Sequence, residues 1–224
     1  MSVTPMFPVG TVLVPGMLLP LRVFEPRYRR MLDDCMAGDQ SFGVVLIERG
    51  SEVGGGDVRV DVGTMARIVY AEGLADGTWA LVVLGVRRIR VDRWMPDDPY
   101  PCAETTDWPD ALADRSTSGD ATSGGAVGSM GGGTPSSARD PVVRQLRRAA
   151  ALSRELGRPS APLDLELDDD PVTGSYQAMV AASLGPADCQ RLLAAPTVAN
   201  RWTLLTSLLT DQIELLEALL AHDT

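Results

Sequence analysis

Residues 6–35, MFPVGTVLVPGMLLPLRVFEPRYRRMLDDC, carry the clearest structural signals of the sequence. Its apolar runs, residues 6–14 and 17–24, are separated by Pro15-Gly16, which is a turn signal, and they predict two strands. Prolines inside both runs favour short or edge strands. Glu25 and Pro26 then open a helix, because proline is tolerated in a first helical turn.

The helix that follows is predicted to end at Gly38. Its apolar residues recur at three- and four-residue spacing and form one face: Tyr28, Met31, Leu32 and Cys35. We expect the corner before it to be structural, with Phe24 and Tyr28 in the core. The proline fixes φ at this corner, and Glu25 favours the helix N-terminus through the helix dipole.

Further strands are predicted up to residue 106, joined by tight turns. Asp76-Gly77 is a strong hairpin signal, and Gly85 marks a bulge or bend. The predicted strands are residues 42–48, 62–72, 78–84, 86–94 and 100–106. Short strands at this spacing favour a closed or half-open β-barrel.

A low-complexity stretch divides the chain. Residues 116–137 contain 7 Gly, 6 Ser and 3 Thr, which is too little apolar surface to offset the entropy of ordering. We therefore predict three parts: a β-rich subdomain (1–112), a flexible Gly/Ser-rich linker (113–139) and a helical subdomain (140–224).

The helical subdomain is predicted from capping signals and one long apolar stripe. Asp140 and Pro141 open its first helix, Asp170-Pro171 opens the next, and Gly185-Pro186 separates a short third one. Thr197 caps the last helix. The stripe of that helix follows three- and four-residue steps and consists of Val198, Trp202, Leu205, Leu209, Ile213, Leu216 and Leu220. It predicts packing in a helical bundle, and dimerisation through part of it is left open.

Composition excludes much chemistry. All 20 basic residues are Arg. The sequence therefore lacks the lysine that a phosphate-binding P-loop requires, and it cannot form a Ser-Lys dyad. The one His, His222, makes a Ser-His-Asp triad or a His-rich metal site implausible. Three widely spaced cysteines, Cys35, Cys102 and Cys189, indicate free thiols in a reducing cytoplasm. We expect no cofactor, no signal peptide and no membrane span.

The chain resembles the substrate-binding N-terminal domain of the ATP-dependent Lon protease over nearly its whole length apart from the linker. The strongest matching motif is Phe24-Glu25-Pro26-Arg27-Tyr28. The other matches occur in the same order and are Phe7-Pro8, Val14-Pro15-Gly16, Leu19-Pro20-Leu21, Phe42-Gly43-Val44, Val62-Gly63-Thr64, Asp76-Gly77, Gly85-Val86-Arg87-Arg88, Asp98-Pro99-Tyr100, Asp170-Pro171, Thr210-Asp211-Gln212 and Leu215-Leu216-Glu217.

This resemblance implies an α+β fold, with a PUA-like β-barrel subdomain containing one helix, followed by a C-terminal helical bundle. It implies a stand-alone, non-catalytic module that binds unfolded or regulatory polypeptides and serves a separate protease or chaperone. Exposed adaptable apolar side chains suit such ligands. Our candidates for them are Trp79, Trp94, Met95 and Tyr100. The residues expected to be structural in the family motifs are Pro15, Gly16, Pro20, Phe24, Glu25, Pro26, Arg27, Tyr28 and Gly63.

Two other functions stay open at this stage. A PUA-like RNA-binding module would use Arg87, Arg88, Arg90 and Arg93, but the acidic sequence, with a formal charge of -10, disfavours nucleic acid, and we expect these side chains to be solvated beside aspartates. An enzyme would need carboxylates to converge, and the candidates are Asp57, Asp61, Glu72 and Asp76. Neither Gly54-Gly55-Gly56 nor Asp168-Asp169-Asp170 meets the requirements of a phosphate loop or a metal cage.

Overall fold

A computed structural model of the chain describes residues 2–50, 56–112 and 135–222, and these ranges form a mixed α+β fold of six strands and five helices. The elements in chain order are β1 (Ser2–Val9), β2 (Leu18–Val23), α1 (Pro26–Ala37), β3 (Ser41–Arg49), β4 (Val58–Gly73), β5 (Trp79–Trp94), β6 (Cys102–Asp107), α2 (Pro135–Glu155), α3 (Pro171–Ala181), α4 (Pro186–Leu193) and α5 (Val198–His222).

The described residues fall into two compact units. Unit 1 comprises residues up to 109 together with 184–194, and unit 2 comprises residues 110–183 together with 195 onwards. Residues 184–194, which the sequence analysis placed in the helical subdomain, thus belong to unit 1. Most of the predicted linker and Gly54-Gly55 lie outside the described residues.

All six strands of unit 1 belong to one sheet, in the order β2-β5-β4-β3-β1-β6. β1 pairs with β3 in parallel, whereas the other pairings are antiparallel. β6 also pairs with the second half of β5, so the hydrogen-bonded series β5-β4-β3-β1-β6 returns to β5. β2 pairs with the first half of β5.

Helix α1 packs its predicted apolar face into the main core of unit 1. Tyr28, Met31, Leu32 and Cys35 are all buried, and the cap residue Gly38 donates its backbone N–H to the Cys35 carbonyl oxygen at 3.0 Å. The core of this unit also takes side chains from β1 to β5, including Phe7, Phe42, Ile68 and Val83. The predicted helix of this segment is confirmed.

Gly85 sits at an irregular point in the sheet, as the sequence predicted. Met65 is paired with Arg87 and Ala66 with Gly85, so Val86 is an extra residue and forms a β-bulge in β5. A Cβ at Gly85 would lie 2.2 Å from the Val14 carbonyl oxygen. This glycine is therefore required by the close approach of a neighbouring backbone.

Substitution of Gly85 by alanine is expected to destabilise the protein by about 1–3 kcal/mol, because the clashing atom belongs to the backbone and cannot rotate away. Urea unfolding would measure the loss. Gly73→Ala is the matched control, since a Cβ there would lie 3.8 Å from the nearest atoms, which belong to the Trp79 ring. Equal stabilities of the two variants would contradict the packing argument.

The short helix α4 is fixed to the sheet by two long polar side chains. Arg88 on β5 is only 1% exposed and donates from Nη1 to the Leu193 carbonyl oxygen at 2.8 Å. Gln190 donates from its side-chain amide to the Val62 carbonyl oxygen at 2.9 Å. The guanidinium of Arg88 also stacks over the Trp108 ring at 4.3 Å. The expectation of a solvated Arg88 is therefore wrong, because its guanidinium satisfies the C-terminal end of a helix.

In unit 2, α5 packs against α2 and α3. The predicted stripe of α5 is buried from Val198 to Leu216, and Leu220 is half-buried. Thr197 accepts the Asn200 N–H at 3.1 Å, and Asp170 accepts the Thr173 N–H at 2.8 Å, so both predicted caps are confirmed.

Helix α2 begins earlier than the sequence predicted. It starts at Pro135, so Asp140 is not its N-cap, Pro141 lies inside it, and the last five residues of the predicted linker are helical. The added turn is anchored by Arg139, whose guanidinium pairs with Asp169 and donates to the Leu167 carbonyl oxygen. Proline keeps a helical φ at this position and removes one backbone donor.

A buried polar cluster ties the start of unit 2 to its helices. Arg201 of α5 is fully buried and donates to Asp110, to the Tyr176 hydroxyl at 3.1 Å and to the Ser175 hydroxyl at 2.8 Å. Tyr176 in turn donates to Asp110 at 2.8 Å. Beside this cluster, the Val198 N–H donates to the Ala111 carbonyl oxygen at 2.7 Å.

Candidate functional site

An apolar groove opens on unit 1 between β1 and β2. Its volume is about 340 Å³, and it is lined by residues 7–9, 11, 19–25 and 28. We call it the β1–β2 groove. Its lining residues all lie between positions 7 and 28, because β1, β2 and the first turn of α1 converge there.

The floor of the groove is rigid and aromatic. The rings of Phe7 and Tyr28 lie 4.5 Å apart between centroids, and Phe7 also contacts Phe42 at 5.8 Å. Leu19 and Val23 are buried beside them. Tilted aromatic contacts of this kind hold ring positions and so give the floor a fixed shape.

Phe24 forms an exposed apolar wall of the groove. Its side chain is 50% exposed, so the expectation that it belongs to the core is wrong. The reason is the alternation along the chain at this corner: Val23 and Tyr28 turn inward, which leaves Phe24 on the solvent side. An exposed phenylalanine next to exposed Pro20 and half-buried Leu21 is a surface that an apolar ligand would cover.

The two charged residues of the groove are both paired. Arg22 donates to Asp76 at 2.8 Å, and Glu25 accepts from Arg27 at 3.1 Å. The Arg27 guanidinium stacks on the outer face of the Tyr28 ring at 4.5 Å. Burial raises the pKa of the Tyr28 hydroxyl to about 12, so the groove floor stays neutral across the physiological range.

The four side chains predicted to bind polypeptide do not lie in this groove. Trp79 and Tyr100 pack against the main core of unit 1, while Trp94 packs against a second core cluster under the Arg59 guanidinium. Met95 is half-buried at the end of β5, and Tyr100 donates to Asp34 at 2.9 Å. Trp79 and Trp94 occupy opposite ends of the same 16-residue strand, so the structure does not bring the four together. Their role in binding stays a prediction.

The family-motif residues lie around the groove and at close backbone contacts. Pro15 and Gly16 form the turn before β2, where Gly16 has a φ of 83°. Pro26 is the first residue of α1. Gly63 on β4 allows close approach of β3, since a Cβ there would lie 2.3 Å from the Val44 carbonyl oxygen. The positions of Gly16, Pro26 and Gly63 are consistent with the structural role expected for them, and the role of the motif residues as a set stays a prediction.

The arginines proposed for RNA binding are occupied in the sheet. Arg87 pairs with Asp107 at 2.7 Å, Arg93 pairs with Glu104, and Arg90 stacks on Trp108 beside the buried Arg88. The strand therefore presents arginines that already neutralise neighbouring carboxylates or pack on an indole ring.

The candidate carboxylates of an enzyme site are also dispersed. Asp57 lies at the start of β4 with Arg59, whereas Glu72 and Asp76 lie at the far end of that hairpin. Burial acts to raise the pKa of the Asp57 carboxyl, but hydrogen bonds and charge from Arg59 outweigh it and hold the pKa low. Across residues 2–50, 56–112 and 135–222, no three His, Cys, Asp or Glu side chains are grouped so that they could hold a metal ion.

The three cysteines are free thiols. Burial raises the pKa of Cys35 to about 12, which keeps this thiol protonated and unreactive. None of the described helices is long and apolar enough to cross a membrane.

Comparison with known proteins identifies the family. A family model described as the ATP-dependent protease La (LON) substrate-binding domain matches residues 3–211, so the chain belongs to this family. Lon protease 1 of Herpetosiphon aurantiacus is 24% identical over 218 residues, which are 93% of this chain and 24% of that protein. The Lon protease of Cytophaga hutchinsonii is 32% identical over 118 residues, which are 51% of this chain and 14% of that protein. The chain spans about a quarter or less of the length of these relatives.

Solved structures share the fold. A Lon N-terminal domain protein from Xanthomonas campestris superposes with a TM-score of 0.59 at 24% identity, covering 92% of this chain and 98% of that one. The N-terminal domain of the Mycobacterium avium complex Lon protease also gives a TM-score of 0.59, at 20% identity, over 94% of this chain and 99% of that one. The family expected from the sequence motifs is thus confirmed, as is the mixed α+β fold.

Proposed function

We propose that the chain binds apolar segments of unfolded or regulatory polypeptides in the β1–β2 groove. One observation carries this proposal: a preformed apolar groove with an aromatic floor and an exposed phenylalanine wall. The family description, a substrate-binding domain of a protease, supports a polypeptide ligand. We also propose that the sheet of unit 1 is a PUA-like barrel and that the helices of unit 2 form a C-terminal bundle, as inferred from the sequence.

The proposed mechanism is reversible burial of ligand side chains against the groove. Covering apolar surface contributes about 25 cal/mol per Å², and the ordering of an unfolded ligand offsets much of it. Weak, exchangeable binding follows, which suits a module that accepts many sequences and releases them to a separate protease or chaperone. The 224 residues contain no Lys, so within them a Ser-Lys peptidase dyad cannot form, and we propose binding without cleavage.

Substitution of Phe24 by alanine is expected to weaken binding of an unfolded polypeptide about tenfold, because roughly 1.4 kcal/mol of apolar contact is lost. The measurement is fluorescence anisotropy with labelled, reduced and carboxymethylated lactalbumin. Leu18→Ala is the matched control, since Leu18 lies on the same β2 strand, is 56% exposed and does not line the groove. Equal weakening by both variants would refute the groove as the binding site.

The same titration at low and high salt separates polypeptide from RNA as the ligand. Apolar binding is expected to survive high salt, because both charged groove residues are already paired. RNA affinity that collapses in salt, together with no lactalbumin binding, would instead favour a nucleic-acid module, since phosphate contacts release counterions.

A further inference from the structure

The β1–β2 groove lies between two strand edges. The pairing partner of β1 over Met6 to Val9 is β3, and that of β2 over its whole length is β5. A sheet edge normally offers a row of main-chain donors and acceptors to which an extended peptide can add as a new strand. The chemistry of these two edges therefore decides how a polypeptide is held.

The direction of the β2 backbone groups follows from its pairing with β5. The Gly85 N–H donates to the Met17 carbonyl oxygen at 2.9 Å, so Met17 faces β5. Because backbone groups of an antiparallel strand alternate in direction, Leu19, Leu21 and Val23 also face β5. The backbone groups of Leu18, Pro20 and Arg22 then point to the open side of β2, away from β5. The middle one of these three has no N–H to donate.

The edge of β1 has the same character. The Met6 N–H donates to the Pro101 carbonyl oxygen at 2.8 Å, on the side of β1 away from β3. By the same alternation Pro8 turns its backbone nitrogen to that side, and it too lacks a donor. Pro8 and Pro20 both line the groove. Each of its two edges thus carries a proline at an outward-facing position.

We propose that this groove recognises extended polypeptide segments by their apolar side chains and not by a main-chain ladder. This rests on the proposed function and names its substrate class: apolar segments that need not supply backbone N–H groups, proline-containing segments included. The pairing of Arg22 with Asp76 and of Glu25 with Arg27 removes any requirement for charge in the ligand. Strand addition, which an open edge would otherwise invite, is interrupted by a missing N–H donor at Pro20 on one edge and at Pro8 on the other.

A backbone-edited ligand tests the inference. A labelled Leu- and Phe-rich peptide is compared with a version in which three alternate amides are replaced by esters, which removes N–H donors and keeps the side chains. We expect the two dissociation constants to agree within about threefold. A ladder would lose about 0.5–1.5 kcal/mol for each missing bond, so weakening of the ester peptide by more than about tenfold would overturn the proposal.

A variant of the protein supplies the converse measurement. Pro20→Val restores an N–H at the middle of the β2 edge and so allows a complete ladder, in which ligand N–H groups also donate to the outward-facing carbonyl oxygens of β2. The variant is therefore expected to prefer the amide peptide over the ester peptide by about threefold or more. Equal affinities in this variant would overturn the role of Pro20. If the wild-type protein does not bind the amide peptide at all, the proposed function is wrong. If it binds the amide peptide much more tightly than the ester peptide, only the inference about the main-chain ladder is wrong.

Discussion

Replacement of Asp110 by alanine is expected to lower the free energy of unfolding of unit 2 by about 3–5 kcal/mol. The carboxylate is the anionic partner of Arg201, which is fully buried, and it also accepts from the Tyr176 hydroxyl. Without Asp110, the buried Arg201 guanidinium loses a carboxylate that neutralises its charge, while its hydrogen bonds to the Ser175 and Tyr176 hydroxyls remain. Urea unfolding followed by the helical circular dichroism signal measures the loss.

Two further variants test whether the loss of stability comes from the buried charge of Arg201. Asp169→Ala is the control. The Asp169 side chain pairs with Arg139 but is 98% exposed, and surface ion pairs contribute about 0–1 kcal/mol. Asp110→Asn keeps the shape and one acceptor, so it should fall between wild type and Asp110→Ala. A cost below about 1 kcal/mol for Asp110→Ala would show that the buried charge finds compensation elsewhere.

The second large effect is expected for Arg88→Ala in unit 1, at about 3–5 kcal/mol. The substitution removes a long buried side chain, leaves space beside Trp108, and deprives the Leu193 carbonyl oxygen of its donor. The loss should appear in urea unfolding and as a change in tryptophan emission, because an indole ring loses its stacked guanidinium.

Arg87→Ala is the adjacent control for Arg88. Its side chain is 49% exposed and pairs with Asp107 at the surface, so its removal should cost less than about 1 kcal/mol. If Arg87→Ala and Arg88→Ala unfold at the same urea concentration, the claim that Arg88 stabilises unit 1 by anchoring α4 is wrong. Arg88→Lys should recover only part of the stability, since lysine cannot stack a planar group on the indole ring.

Local signals were enough to predict much of the fold. The apolar face of α1, the bulge at Gly85 and the caps Thr197 and Asp170 all depend on residues near one another in the chain. The family motifs added the α+β class. These features share one property: the atoms that explain them lie within a turn or on an adjacent strand.

Long-range packing explains what the sequence could not show. The burial of Arg88 depends on a carbonyl group 105 residues later in the chain, which no strand periodicity reveals. The start of α2 before Pro141 depends on Arg139 reaching Leu167 and Asp169. The groove was missed because its wall, Phe24, carried the signal of a core residue. Alternating burial at an edge strand followed by an exposed aromatic would have been the clue.

The discontinuity of unit 1 has a consequence for synthesis of the chain on the ribosome. The strands are all encoded before residue 108, but the helix that accepts the Arg88 guanidinium ends at Leu193. A nascent chain that has released only the sheet therefore holds an arginine without its carbonyl acceptor. Unit 1 is complete only when about 85 further residues have emerged, which at about 5–20 residues per second is a delay of about 4–17 seconds. During that interval the surface of the sheet that α4 will cover stays uncovered.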